Sequence, residues 1–321
     1  MGVRLVILGQ STVDHVVPAT PGAWAPRMGG NALYAFAGAR LWMNPSEIAV
    51  VSRRGAGYPF PVEDHLHRAG AGAARIGRTE AEHLVEWILY EEDGARRSLP
   101  RNADLRRASG EGGASADYLT ALEAISPRIE EAADFLETAD AVYLAPQVLS
   151  RHAEVQRVLA GKAVFVVLDP SPHYASEMDA GALRAALPRA DALLPSGMEA
   201  RRVIDLRGGD VDHAVARLLD AGFPEVALKR GADGVTLGWK RGIETIQAAE
   251  VVVADPTGAG DAFGGAYAAA RLMGHDPPEA ARRGVAAAGV VIASEGADAA
   301  LRADPAEARE IRDRIRFPSS A

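Results

Sequence analysis

Short apolar runs alternate with longer alanine-rich stretches along this chain. Val3 to Gly9 reads as a first, buried strand. Glu47 to Val51, Ala141 to Leu144, Ala163 to Leu168, Ala192 to Leu194, Glu225 to Leu228, Gly234 to Trp239 and Val251 to Ala254 read the same way. Between them, helical spacing runs through Leu33 to Trp42, Ile125 to Leu136, His152 to Leu159, Leu183 to Leu187, Val211 to Leu219 and Ala262 to Met273. Apolar strands alternating with helices predict an α/β fold: a mostly parallel central sheet with helices on both faces, three layers in all. Ligands of such sheets collect at the carboxyl ends of the strands. Asp14, Asp169, Glu199 and Asp261 all follow closely on strand candidates, which would bring all four into one cleft.

Two stretches break the alternation. The segment from about 14 to 28 has strand-like ends around Pro18, Pro21 and Pro26. The segment from about 83 to 97 places Asp93-Gly94 between strand formers, a hairpin signal. Both are expected to form a small β lid beside the main sheet. No repeat or low-complexity linker divides the chain, so residues 1–321 are expected to form one domain.

Composition narrows the function. With 48% hydrophobic residues in 321, a large buried core is available. A net charge of −8 argues against a general binder of nucleic acid or anionic membrane. The absence of cysteine excludes disulfides, thiolate zinc sites and cysteine nucleophiles. The N-terminal apolar run is too short for a signal peptide, and Val285 to Ala293 is too short to span a bilayer, so a cytoplasmic protein is expected. Gly161-Lys162-Ala163 fails as a Walker A loop, and Gly9-Gln10-Ser11-Thr12 fails as a dinucleotide fingerprint. The eight histidines show no paired ligand spacing.

Asp255-Pro256-Thr257-Gly258-Ala259-Gly260-Asp261 carries the strongest chemical signal. It stands at a helix start, where small residues leave backbone N–H groups pointing outward and the helix dipole adds positive potential. That is an anion site. A carboxylate beside it, Asp261, would repel a bound phosphate, yet it can accept a proton from a hydroxyl that attacks one. The combination points to phosphoryl transfer to an alcohol.

The same segment resembles, nearly residue for residue, the C-terminal signature of the ribokinase-like sugar kinases (the phosphofructokinase-B family), with Pro256 replacing a threonine. Gly29-Gly30-Asn31-Ala32, leading into Ala39-Arg40-Leu41, is similar to that family's N-terminal glycine pair and the helix after it. Gly9 to Asp14, Ala190 to Glu199, and Lys229 to Gly234 match further elements in order, so the resemblance covers about residues 3 to 300. It implies a ribokinase-like sandwich with a β lid. It implies Asp261 as the base, and the N–H groups of Gly258, Ala259 and Gly260 as the anion hole. Asp14, Gly29, Gly30, Asn31 and Tyr34 would line the acceptor site, and Lys229, Gly231 and Ser196 the nucleotide site. Glu199 would organise Mg²⁺ through water, and Asp255 would order the loop, in one version through a monovalent cation such as K⁺. ATP and Mg²⁺ are the implied cofactors, a small sugar or sugar-like molecule the implied substrate, and a homodimer through the lid a possible assembly.

Besides Pro256, three positions depart from the family pattern. Ser196 and Ser171 stand where asparagine is usual, and Tyr34 aligns with another asparagine. Trp24, Tyr34, Trp87 and Leu89 could give the acceptor pocket an aromatic character, which keeps a nucleoside kinase open as an alternative. The serines keep open a catalytically silent small-molecule binder on the same fold.

Overall fold

The computed structural model describes residues 2–17, 25–90, 96–97, 116–175, 178–197, 199–200 and 211–315. Nine strands form the main sheet: β1 (Leu5–Leu8), β4 (Ile48–Ala56), β5 (Ala73–Glu82), β8 (Ala141–Leu144), β9 (Phe165–Leu168), β10 (Ala192–Leu193), β11 (Glu225–Lys229), β12 (Val235–Trp239) and β13 (Gly242–Ile246). Their order is β13-β12-β11-β10-β9-β8-β1-β4-β5. Every pairing from β11 to β5 is parallel, and β12 and β13 add an antiparallel edge.

Strand alternation divides the core in two. Leu5, Ile7, Tyr143 and Val167 join one cluster with the helices Asn31–Ala39, Ala259–Leu272 and Pro277–Ile292. Val6, Leu8, Val142, Leu144 and Val166 join the other, against Ile129–Thr138, Leu149–Val158 and Val211–Asp220. Side chains of successive strand residues point to opposite faces, so fully apolar strands demand cover on both sides. Each buried Leu, Ile or Val contributes roughly 1.5–3 kcal/mol relative to exposure.

A separate sheet, in the order β3-β2-β6-β7, comprises β2 (Thr12–Val17), β3 (Arg27–Gly29), β6 (Val85–Tyr90) and β7 (Arg96–Arg97). β6 and β7 pair antiparallel, in keeping with the expected hairpin, whose Asp93-Gly94 turn lies outside the described residues. The prolines at 18 and 21 and Trp24 lie outside them as well, as does the Leu89 side chain.

Two elements differ from expectation. Val251 to Ala254 is not a strand: Val252 is 89% exposed and Val253 52%. The Ala254 and Asp255 N–H groups both donate to the Ile292 carbonyl, so the run leans on a helix end rather than a sheet edge. Four apolar residues carry no periodicity that separates a strand from an extended connector. The predicted helix Ile125 to Leu136 is two helices, Ala116–Ile125 and Ile129–Thr138, broken around Pro127, whose ring and missing N–H do not suit a helix interior.

Candidate active site

Gly258 caps the helix Ala259–Leu272 in the left-handed region, with φ 78°. Glycine adopts that conformation without strain. A methyl group there would also meet the Tyr34 ring, 2.2 Å from Cγ and 2.3 Å from Cδ1. Tyr34 is therefore a support beneath the loop, only 2% exposed, as well as a neighbour of the proposed acceptor residues. The helix crosses Asn31–Ala39 backbone to backbone. A methyl on Gly265 would lie 1.9 Å from the Ala35 carbonyl oxygen, and one on Gly38 would lie 2.0 Å from that of Ala262. The start of Ala259–Leu272 is thus locked against the helix that follows the glycine pair.

Asp261, in that first turn, belongs to a charged cluster with Asp169, Glu199 and Lys229. The carboxyl ends of three adjacent strands supply the others: Asp169 after β9, Glu199 after β10, Lys229 ending β11. Lys229 pairs with the Asp169 carboxylate, and a methyl on Gly260 would come 3.4 Å from the Lys229 nitrogen. The ammonium therefore sits beside the first turn of Ala259–Leu272. Tyr143, buried in β8, donates its hydroxyl to Asp169 Oδ2 at 3.2 Å. Asp169 Oδ1 is buried without a hydrogen-bond partner.

The electrostatics follow from burial. Burial pushes the Asp169 carboxyl up to about 8 against the pull of Lys229, with Glu199 and Asp261 adding to the rise. Burial alone would depress Lys229, but Asp169, Glu199 and Asp261 together outweigh it and hold the ammonium above its ordinary value. Burial raises the Tyr143 hydroxyl well above the usual tyrosine range, so it stays protonated and donates. One ammonium thus offsets several carboxylates at the place where a phosphoryl group would add further negative charge.

Glu199 and Ser196 form a reciprocal pair. Glu199 Oε2 accepts from the Ser196 N–H at 2.6 Å, and the Glu199 N–H reaches Ser196 Oγ at 3.3 Å. Ser196 also bridges to Lys229 across the strand ends. Gly231, with φ 62°, opens the short 3-10 turn Gly231–Asp233 that joins β11 to β12.

On the small sheet, Asp14 is 3% exposed and accepts from Thr12 Oγ1 at 2.7 Å. Gly29 faces it: a methyl there would fall 2.0 Å from the Asp14 carboxylate carbon. Gly30 has φ 116°, and a methyl on it would fall 2.2 Å from the Gln10 carbonyl oxygen. Both glycines are therefore required by close approach. Asn31 spends its amide on the scaffold, with Oδ1 accepting from the Gln10 N–H at 2.7 Å and Nδ2 donating to the Pro146 carbonyl at 2.7 Å. Trp87 packs edge-on against His15 at 4.5 Å.

Asp255 is 2% exposed. Its Oδ1 accepts from the Thr257 N–H at 3.0 Å, and its Oδ2 from Arg27 Nη1 at 3.1 Å. Sequence reasoning missed Arg27 and Tyr143. Each left a faint signal: an arginine two positions before the glycine pair, and a hydroxyl inside an otherwise apolar strand.

A model of the pfkB family of carbohydrate kinases matches residues 108–304, more than half of the 321-residue chain. The chain belongs to that family. Over 102 residues this pfkB-family chain is 37% identical to the 2-dehydro-3-deoxygluconokinase of Thermoproteus tenax, a stretch covering 32% of this chain and 31% of that protein. Over 100 residues it is 38% identical to the Escherichia coli K12 protein of the same name, covering 30% and 32%. The similarity therefore spans about a third of the length of these curated relatives. Likeness to solved structures runs the whole length and concerns the fold. The nucleoside kinase of Burkholderia thailandensis, solved with inosine, superposes with TM-score 0.69 at 19% identity, covering 96% of this chain and 97% of that one. A ribokinase II of E. coli, solved with ATP and Mg²⁺, gives 0.68 at 18%, covering 97% and 99%. The ribokinase-like architecture is thus shared with these kinases. Among the described residues, no helix is long and apolar enough to cross a membrane.

Proposed function

We propose that this pfkB-family chain, acting as one kinase unit, transfers the γ-phosphoryl group of ATP to a hydroxyl of a small sugar or sugar-like acceptor. The observation that carries the reading is the first turn of Ala259–Leu272. There a left-handed Gly258 exposes helix N–H groups, the Lys229 ammonium lies beside Gly260, and Asp261 follows at once. Phosphoryl transfer rests chiefly on positioning and charge stabilisation, and this turn offers both. Asp261 takes the proton from the acceptor hydroxyl. The N–H groups of Gly258, Ala259 and Gly260, with Lys229, receive the charge of the transferring group. Asp14, set into the gap left by Gly29, binds acceptor hydroxyls, and Gly30 lets the backbone approach them.

Mg²⁺ fits as a companion of the nucleotide. Mg²⁺ keeps most of its waters and binds chiefly through substrate phosphates, so a single carboxylate that holds metal-bound water suits it. Glu199 uses Oε2 on the Ser196 N–H, which leaves Oε1 to orient metal-bound water. A bound Mg²⁺ would supply charge neutralisation to the nucleotide phosphates, with Glu199 holding one of its waters. Ser196, Gly231 and Lys229 lie at adjacent strand ends, the place for nucleotide phosphates.

The acceptor class draws on the relatives' name, 2-dehydro-3-deoxygluconokinase, so that sugar acid heads the panel, followed by sugars, polyols and nucleosides such as inosine. The test is ADP release with Mg·ATP across this panel. At least one acceptor should accelerate release, and Asp261→Asn should cut that turnover by about 10²–10⁴-fold while nucleotide binding persists. Acceptor-independent release across the panel, or an Asp261→Asn protein with full turnover, would overturn the proposal.

A further inference from the structure

We infer that Arg27 is the positioning residue that couples the acceptor strand to the anion hole, its guanidinium serving as the fixed cation of the Asp255 carboxylate. The inference rests on the phosphoryl-transfer reading above. β3 is only three residues long, and it does two jobs. Gly29 makes room for the Asp14 carboxylate, while Arg27, paired with Asp14 across the β2–β3 ladder, reaches out of the small sheet. Arg27 Nη1 donates to Asp255 Oδ2 at 3.1 Å, and Nη2 to Glu295 Oε2 at 2.9 Å.

The two contacts tie together segments far apart in sequence. Asp255 leads into the anion hole and fixes its entry through the Thr257 N–H. Glu295 precedes Gly296, whose φ is 74° and on which a methyl would lie 3.4 Å from Arg27 Cδ. The Asp255 carboxylate is buried, and a buried carboxylate requires a counter-charge. Arg27 supplies it with a planar fork that meets two carboxylates at once, which a compact monovalent ion does not do directionally. Acceptor hydroxyls that settle on Asp14 thereby stiffen β3, which grips Asp255 through Arg27, so the anion hole is best ordered when an acceptor is present. The same arrangement removes the need for K⁺ at Asp255.

The experiment compares wild type, Arg27→Ala and Arg27→Lys. Wild-type turnover should be unchanged when tetramethylammonium replaces K⁺ and Na⁺. Arg27→Ala should lower kcat by about tenfold to a hundredfold, the scale of a small misplacement of reacting groups, with the nucleotide KM nearly constant. Millimolar guanidinium should restore part of that loss without affecting wild type, and Arg27→Lys should fall between. Hydrogen exchange supplies a readout that needs no acceptor: the amides of Thr257 to Gly260 should exchange faster in Arg27→Ala, while those of β8 and β9 stay protected. Wild-type kcat in Arg27→Ala, a loss that guanidinium leaves untouched, or unchanged exchange at 257–260 overturns the inference. Wild type inactive on every acceptor, with faster exchange in Arg27→Ala, would sink the proposed activity and leave the positioning role standing.

Discussion

Replacing Gly29 with alanine should damage the proposed acceptor site through one identifiable contact. Gly29 is not among the glycines with positive φ, so its backbone tolerates a side chain. The obstacle is Asp14: the new methyl would lie 2.0 Å from Cγ and Oδ2 and 2.3 Å from Oδ1, whereas ordinary contact begins at 3.4 Å. The carboxylate would have to retreat by about 1.4 Å. Asp14 is 3% exposed and has little space to do so. Retreat breaks the Thr12 Oγ1–Asp14 Oδ1 bond, a loss of about 1.5–3 kcal/mol for a hydrogen bond to a charged group. Overpacking adds about 1–3 kcal/mol. The total, roughly 2.5–6 kcal/mol, is a large part of a typical domain's stability. The decisive assay is a double-mutant cycle by urea unfolding. Asp14→Ala removes the carboxylate, so the alanine at 29 should then cost at least about 1 kcal/mol less than in wild type. With an active acceptor, Gly29→Ala should raise its KM about tenfold or more, with the nucleotide KM nearly unchanged. A wild-type unfolding midpoint in Gly29→Ala, or the same cost with and without Asp14, would refute the reasoning.

Asp169 predicts a pH dependence. Its native carboxyl titrates near 8 and its unfolded one near the ordinary aspartate value, so this group's stabilisation is full below about 4 and gone above about 8. His152 opposes it at the acid end. Burial lowers this histidine to about 4 from 6.5, so stability is lost as pH falls between those values. The net fall should therefore show between about pH 6.5 and 8, at most about 1.4 kcal/mol per pH unit, and Asp169→Asn should flatten it; equal slopes in urea titrations of both proteins would count against it. Lys229→Met should reduce turnover by about tenfold or more, and adding Asp169→Asn should recover the unfolding midpoint but not the turnover; recovery of both would remove Lys229 from the transfer step. Gly265→Ala places a methyl 1.9 Å from a backbone carbonyl that cannot rotate away, so the two helices must separate. A loss of about 3 kcal/mol or more is expected, with reduced turnover; a wild-type melting temperature would show that the crossing is looser than its geometry implies.

The layered fold was legible because its signal is local. β1, β8 and β11 are short apolar runs, and their covering helices carry helical spacing of small residues. The helix start proposed as the anion hole was legible for the same reason, since Gly258 to Asp261 forms one turn of one helix. Val251 to Ala254 shows the limit: apolar character without period did not distinguish a strand from an exposed connector. Asp14, Gly29 and Gly30 were visible as types of residue, but the reason for Gly29 was not, because its constraint is a carboxylate 15 positions away on another strand.

The sequence by itself determined the fold class, the order of the elements, and a glycine-rich helix start with a carboxylate in its first turn. Tertiary structure alone decided which charges meet there. Lys229 and Asp169 are 60 residues apart, and Arg27 and Asp255 are 228 apart. The physical reason is that electrostatic and steric partnership depends on distance through space, and only the packed sheet and crossing helices set that distance. Until they do, Arg27 is one arginine among many. In the folded chain it is the cation that joins β3 to the segment leading into Ala259–Leu272.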